Sequence, residues 1–132
     1  MLRATIVAMA VLLSAPIALA DDIDDCIDAE RLVEIAPART VAACRRLAED
    51  GEAFAQNNLG WMFEYGRGVT QNSHVAAKWY LQSAKQEFAE AQNNLGYLYH
   101  IGRGVAQDDL EAARWYRKAA EQGLSEAQYN LA

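Results

Sequence analysis

The sequence predicts an all-α fold, an array of stacked two-helix units with a period of 36 residues. When the chain is shifted by 36 positions, residues 51–86 align with residues 87–122 and 18 of the 36 pairs are identical. A period of about 20 to 50 residues is typical of repeat arrays, in which each unit buries its apolar face by stacking on its neighbours. Apolar residues also recur at helical spacing in two segments of each unit, so each unit is expected to contain two helices.

Three short blocks are shared by the two copies at the same separations. They are AQNNLG at 55–60 and 91–96, GRGV at 66–69 and 102–105, and AAKWY at 76–80, which becomes AARWY at 112–116. A third copy begins within SEAQYNLA at the end of the sequence. The predicted units are therefore repeat 1 at 51–86, repeat 2 at 87–122 and the truncated start of repeat 3 at 123–132.

Apolar side chains predict where the two helices of each repeat lie. The first helix is predicted from Ala55, Leu59 and Met62 and the second from Ala76, Tyr80 and Ala84, with equivalents 36 residues later. Asn72 and Asp108 precede the second helices and are suitable N-caps. Glu111 completes a capping-box pattern with Asp108, so the second helix of repeat 2 is expected to begin with reciprocal side-chain bonds.

Glycines predict where some helices end and where a neighbouring helix packs closely. Gly51 and Gly123 fit the left-handed residue that often ends a helix, whereas Glu87 stands at the equivalent place between the repeats. The helix before Glu87 is therefore expected to end less sharply. Gly60 and Gly96 fall inside the first helices, where glycine costs about 1 kcal/mol relative to alanine, so a bulky neighbour is expected to pack there. The predicted partners are Trp79 and Trp115.

The loop motif YGRGVTQ at 65–71 looks like a glycine-rich phosphate loop, but its setting argues against a nucleotide site. The motif follows a helix rather than a strand, recurs in repeat 2, and lacks the third glycine of GxGxxG and the Lys-Ser/Thr pair of a P-loop. We therefore expect no nucleotide and no other cofactor. The glycines are expected to turn one helix into the next at positive φ, with Val69 and Val105 packed under the stack.

The chain begins with the pattern of a secretory signal peptide at residues 1–20. Arg3 is followed by an apolar run, and the small residues Ala18 and Ala20 precede Asp21. The apolar run is too short for a permanent anchor, and its ending suits cleavage after Ala20. The sequence thus predicts a periplasmic or secreted protein with no membrane insertion after cleavage.

The two cysteines, Cys26 and Cys44, are predicted to form a disulfide, because an exported chain meets an oxidising compartment. Two free thiols are the alternative. A metal site is disfavoured, since zinc takes three or four protein ligands and the two histidines lie far away in the sequence. We therefore expect no metal.

Composition disfavours some partners, and the residues show no catalytic constellation. The formal net charge of the chain is -6, which disfavours nucleic acid and anionic membranes as partners.

Ser73 precedes His74, but adjacent residues at a helix start point in different directions and are not expected to form a catalytic pair. We expect no catalytic residues and a protein that is not an enzyme.

The pattern A..NLG..Y..G.GV......A..WY..AA..G, followed over residues 53–132, resembles the Sel-one-like repeat (SLR), a relative of the tetratricopeptide repeat. The resemblance implies antiparallel helix pairs that stack into a right-handed α-solenoid. Residues 21–50 are then predicted to form an N-terminal helical cap. Its helices are expected at 23–35 and 40–51, an arrangement that would bring the two cysteines face to face.

In tetratricopeptide-type stacks the first helix of each pair lines a groove that binds peptide segments of other proteins. By that analogy the predicted groove consists of Asn57, Asn58, Trp61, Glu64, Tyr65, Asn93, Asn94, Tyr97 and His100. Asparagine amides suit an extended peptide backbone because each supplies a donor and an acceptor. The structural alternative is that Asn58, Asn94 and Asn130, which match the repeat consensus, bond a neighbouring helix instead.

Together these features predict an exported, non-enzymatic scaffold for protein–protein interaction, an adaptor or regulator of a cell-envelope protein. The rival is a β-lactam-binding or β-lactamase-like secreted repeat protein, because cysteine-rich members of the family have been linked to that chemistry. Those members carry a cysteine pair in each repeat, whereas neither full repeat has a cysteine here. The exposed face of the half-repeat, including Leu131, is expected to pair with a second copy of the chain, in a self-association through the C-terminal half-repeat, or with residues missing from the third repeat.

Overall fold

A computed structural model describes residues 20–132, and every regular element in that range is helical. The predicted signal peptide lies outside the described residues except for Ala20. No helix within the described range is both long and apolar enough to cross a membrane.

The helices follow one another as a stack of hairpins. Residues 20–27 are helical and end in a turn at Asp28. The following helices are α1 (Ala29–Ile35), α2 (Pro37–Glu49), α3 (Ala53–Tyr65), α4 (Ser73–Lys85), α5 (Ala89–Ile101), α6 (Asp109–Glu121) and α7 (Ser125–Leu131). Each of them packs mainly against the helices before and after it in the chain. The predicted all-α repeat fold is therefore confirmed.

The core consists of two apolar clusters that are joined by aromatic side chains. Leu47, Leu59 and Met62 are fully buried in the first cluster, between the cap and repeat 1. The second cluster lies between the two repeats. Its main members are Tyr80, Leu95 and Leu98. Trp61 and Phe63 are half-buried and contact both clusters. Burying each such large side chain contributes about 1.5 to 3 kcal/mol, so the packing of helices within and between hairpins supplies much of the stability.

Tyrosines, and not the predicted tryptophans, pack on the helix-interior glycines. A Cβ atom added to Gly60 would lie 2.7 Å from Cδ1 of Tyr80, and one added to Gly96 would lie 2.8 Å from Cδ1 of Tyr116. The prediction of Trp79 and Trp115 as the partners was wrong by one position. One residue is about 100° of helix rotation, so each tyrosine faces the first helix of its hairpin while the preceding tryptophan lies to one side.

The GRGV loops turn α3 into α4 and α5 into α6, as predicted. Gly66 and Gly68 have φ values of 65° and 71°, and their counterparts in repeat 2 have 67° and 73°. Each loop is closed by a backbone hydrogen bond, from Asn72 N to the Phe63 carbonyl at 2.8 Å in repeat 1. Val69 packs on the first core cluster and Val105 on the second, which confirms the expectation for both.

The N-caps are confirmed, but the capping box is not. Oδ1 of Asn72 accepts a bond from Val75 N at 3.1 Å, and Oδ1 of Asp108 accepts from the amides of Leu110 and Glu111. The reciprocal half of the predicted box is missing because the Asp108 N–H donates to the Tyr99 carbonyl and closes the loop. The Glu111 carboxylate instead accepts from Arg114 at 2.7 Å.

The helix that precedes Glu87 ends as sharply as the others, contrary to expectation. Helix α4 has 13 residues, like α3, α5 and α6, and Glu87 itself takes the left-handed conformation with φ of 62°. Gly51 and Gly123 have φ values of 97° and 90° at the equivalent places. The Glu87 carboxylate accepts a bond from Gln92 Nε2 at 3.0 Å, and this contact helps to hold a residue with a side chain in that conformation.

The cap contains a disulfide between Cys26 and Cys44, with the two Cα atoms 4.9 Å apart and both side chains fully buried. In the chain-entropy model such a closed loop stabilises the fold by about 3 kcal/mol. The single helix predicted at 23–35 is wrong, because the chain turns at Asp28. The Cys26 carbonyl accepts a bond from Asn58 Nδ2 at 2.7 Å across to α3, and a new helix then begins. Helix α2 also starts earlier than expected, at Pro37.

The loop glycines allow a matched test of backbone strain against close contact. Gly51 has positive φ with nothing within 4 Å of an added Cβ, whereas a Cβ at Gly104 would lie 2.1 Å from the Ser73 carbonyl oxygen. We expect Gly51→Ala to lower the free energy of unfolding by about 1 kcal/mol and Gly104→Ala to lower it by at least about 2 kcal/mol more. Urea denaturation of both variants measures the difference, and equal losses would contradict the contact.

Candidate functional site

Two adjacent clefts lie on the face formed by α3 and α5. The first, of about 180 Å³, is lined by Ile27, Ala29, Glu30, Asn57, Asn58, Trp61 and Asn94. The second, of about 240 Å³, is lined by Glu64, Tyr65, Asn93, Asn94, Tyr97, Glu126 and Asn130. Asn94 lines both clefts, so they are adjacent, and we call the two together the groove.

The groove contains eight of the nine predicted residues. The exception is His100, which lies in a third cleft that adjoins the second one at Asn130. There its Nδ1 is 2.9 Å from Asp109 Oδ1. Five lining residues beyond the family analogy come from the cap and from the third repeat. They are Ile27, Ala29, Glu30, Glu126 and Asn130. Asn130 is the third copy of Asn94, so the repeat pattern predicts its position, whereas no sequence signal indicates the other four.

The asparagines form a ladder between successive hairpins. The bonds run from Asn58 Nδ2 to the Cys26 carbonyl at 2.7 Å, from Asn94 Nδ2 to Asn57 Oδ1 at 3.0 Å, and from Asn130 Nδ2 to Asn93 Oδ1 at 3.0 Å. Each bond joins one repeat to the unit before it. The geometry therefore gives these amides the structural role that the sequence left open. Each rung between two asparagines uses one polar atom of each side chain, so the remaining amide atoms are still available to the groove.

Glu64 is a buried carboxylate in the wall of the second cleft. The residue is only 4% exposed, and Oε2 accepts a hydrogen bond from the Tyr80 hydroxyl at 2.7 Å. Oε1 is buried without a hydrogen-bond partner among the described residues, and its nearest cationic atom is a guanidinium nitrogen of Arg103 at 3.8 Å. Burial, together with the charge of Glu64, raises the pKa of Tyr80 far above its usual value, so this hydroxyl remains a donor.

Aromatic rings form the exposed part of the groove. Tyr65 is 52% and Tyr97 41% exposed, and the two residues line the same cleft. The Trp61 ring lies 6.0 Å from the Tyr65 ring, and its inner side packs on the core. Burial and the charge of Glu64 raise the pKa of Tyr65. Rigid rings that are partly fixed by the core lose little entropy when a partner packs on them.

Other parts of the described chain carry no alternative chemistry. Ser73 Oγ accepts from Gln71 Nε2 and His74 Nδ1 lies 3.3 Å from the Gly104 carbonyl, so these two side chains do not pair. A larger concavity of about 750 Å³ surrounds His74 and the loop at 104–108, but it is shallow and open. No group of three or more potential metal ligands is clustered within residues 20–132.

The ladder predicts coupling between Asn57 and Asn94. We expect Asn94→Ala to lower the free energy of unfolding by about 1 kcal/mol, because the partly buried rung between the repeats is lost. In a double-mutant cycle with Asn57→Ala, the two losses should fall short of additivity by about 0.5 to 1 kcal/mol. Additive losses would show that the two amides do not interact. Asn130→Ala, at the exposed end of the ladder, serves as a control with a smaller expected loss.

Solved structures share this architecture. A Sel1 repeat protein from Oxalobacter formigenes has a TM-score of 0.69 at 35% identity, over 80% of this chain and 44% of that one. A protective antigen present in uropathogenic Escherichia coli strains, which displays an SLR fold, has a TM-score of 0.69 at 39% identity, over 70% of this chain and 20% of that one. The chain thus spans less than half the length of either relative.

Helicobacter pylori cysteine rich protein B has a TM-score of 0.73 at 22% identity, over 80% of both chains, and at that identity the likeness concerns the fold alone. No significant match was found among curated protein sequences. The Sel1 repeat model matches residues 53–88 and 89–124, which together make up more than half of the sequence. The protein therefore belongs to the Sel1 repeat family.

Proposed function

We propose that this protein is an exported, non-enzymatic scaffold that holds an extended segment of another protein in the groove, as an adaptor or regulator in the cell envelope. Sel1 repeat proteins generally mediate protein–protein interaction, and the fold has that general role. The observation that carries the proposal is the groove itself. Its two clefts adjoin at Asn94 and take residues from both repeats, and half-exposed Tyr65 and Tyr97 lie at the second cleft.

The shape and polarity of the groove suit a peptide better than a small molecule. Both clefts are half-enclosed and mix carboxylates, amides and aromatic rings, with the asparagine ladder along the floor. An extended peptide presents a donor and an acceptor at every residue, which amide side chains can match. Aromatic side chains then supply most of the contact energy.

The proposed export rests on two features. The N-terminal sequence has the charge, apolar run and small residues of a signal peptide. The cap holds a fully buried disulfide, and structural disulfides persist in the periplasm and outside the cell. A partner in the same compartment follows from this location.

The β-lactam alternative has no specific observation in its favour. The one disulfide lies in the cap, and neither full repeat contains a cysteine. Ser73 and His74, the one Ser-His neighbour pair considered from the sequence, bond to other groups. The proposal accordingly predicts no turnover of nitrocefin by the purified protein.

Site-specific photo-cross-linking in intact cells of the source organism tests the proposed groove. Replacing Tyr97 by p-benzoylphenylalanine keeps an aromatic ring at the second cleft. We expect light to convert this variant into one discrete higher-mass species, whose second component mass spectrometry identifies as an exported protein.

The same photoreactive residue at position 110 provides the control. Leu110 is 77% exposed on α6 and lines neither cleft of the groove. A cross-linked species that forms equally at both positions, or at neither, would contradict the proposal. Thermal unfolding of both variants checks that the fold is intact.

A further inference from the structure

Glu64 has a position that the repeat architecture does not require. Its counterpart in repeat 2 is His100, which is exposed and pairs with Asp109 outside the groove. Only repeat 1 therefore places a carboxylate beneath the groove. Burying a charged group costs several kcal/mol unless its charge and its hydrogen bonds are satisfied, and here only one of two oxygens is.

Arg103 compensates Glu64 incompletely. Its guanidinium nitrogen is 3.8 Å from Oε1, which is beyond hydrogen-bond distance, and its side chain is about half-exposed. Arg103 does not line the second cleft. A second cation placed in the cleft would therefore share the attraction of Glu64 with Arg103.

The cleft wall has the composition that recognises a flat cation. Tyr65 and Tyr97 present half-exposed rings, and Glu126 adds a second carboxylate. None of the residues that line either cleft is basic. Glu64 and Tyr65 line the same cleft, where burial and the neighbouring carboxylate raise the pKa of Tyr65. Guanidinium groups stack on aromatic faces and are weakly hydrated, whereas an ammonium holds its water more strongly.

We propose that the second cleft of the groove is a subsite for an arginine side chain on the bound segment of the partner protein. The guanidinium would stack on Tyr65 and Tyr97, above the buried carboxylate of Glu64. This inference rests on the proposed function and adds the chemistry of the partner. The net charge of -6 favours the same partner, since it attracts basic segments at long range.

Two synthetic peptides that differ only in charge test the subsite. Both are seven residues of alanine and serine with blocked ends, and the central residue is arginine in one and citrulline in the other. Citrulline keeps the planar shape but carries no charge. Titration of the isotope-labelled protein, followed at the backbone amides of Tyr65 and Tyr97, should show arginine binding at least about fivefold more tightly than citrulline.

A matched pair of variants assigns the preference to Glu64. Glu64→Gln keeps an oxygen that can accept from Tyr80 and removes the charge, so it should abolish the preference for arginine. Glu111→Gln changes the net charge equally at a carboxylate outside the groove and should keep the preference. If Glu64→Gln does not fold, Glu126→Gln at the exposed side of the cleft should reduce the preference at least twofold.

The outcomes separate this inference from the function on which it rests. Equal affinity for both peptides, with shifts at Tyr65 and Tyr97, would overturn the arginine subsite and leave the peptide groove in place. Shifts confined to other surfaces, or no shifts at millimolar peptide, would also overturn the subsite, and the cross-linking at position 97 would then judge the groove independently. If the Glu64→Gln variant still bound the arginine peptide more tightly than the citrulline peptide, a group other than Glu64 would attract the cation, and the proposal would be contradicted.

Discussion

The contact between a helix-interior glycine and a tyrosine ring sets the geometry of each hairpin. Because Gly60 has no side chain, the ring of Tyr80 packs directly on α3, within 2.7 Å of where a Cβ would lie. Tyr80 is fully buried, and its hydroxyl reaches Glu64 near the end of the same helix. The contact therefore fixes the distance between α3 and α4 and also orients the carboxylate beneath the groove. Gly96 and Tyr116 repeat the packing in the next hairpin but have no carboxylate at the equivalent place.

The same residues serve both the stack and the groove. The asparagine ladder joins each hairpin to the preceding unit, and its first rung ends on the carbonyl of disulfide-bonded Cys26. The cap thus supplies the first layer on which repeat 1 stacks. Since the ladder runs along the groove floor, the spacing of groove side chains follows the spacing of the repeats. A partner that bridges both clefts would have to match that spacing. Because Asn94 lines both clefts and also bonds Asn57, a change at Asn94 would then affect both partner binding and the stability of the fold.

The sequence alone predicts where the helices of the repeats lie, but not which side chains of neighbouring helices face each other. The 36-residue period and apolar spacing predicted α3 to α6, because a helix buries residues three and four apart. The prediction that Trp79 packs on Gly60 is wrong, because adjacent residues of a helix face different directions and the sequence does not show which of Trp79 and Tyr80 faces α3. The sequence does not predict the break at Asp28, because the bond that the Cys26 carbonyl accepts just before it comes from Asn58, far along the chain. Glu126 was missed in the groove because it lies in another repeat, whereas the first-helix residues followed from the family analogy.

The contact between Gly60 and Tyr80 is tested most directly by whether Gly60→Ala raises or lowers the free energy of unfolding. In an ordinary helix, replacing glycine by alanine raises the free energy of unfolding by about 1 kcal/mol. We expect Gly60→Ala to lower it instead, because the new methyl group overlaps the Tyr80 ring, and to raise it when introduced into a Tyr80→Ala background. Urea denaturation of the four proteins gives both values. Stabilisation by Gly60→Ala in the wild-type background would contradict the glycine–tyrosine contact and the hairpin geometry built on it.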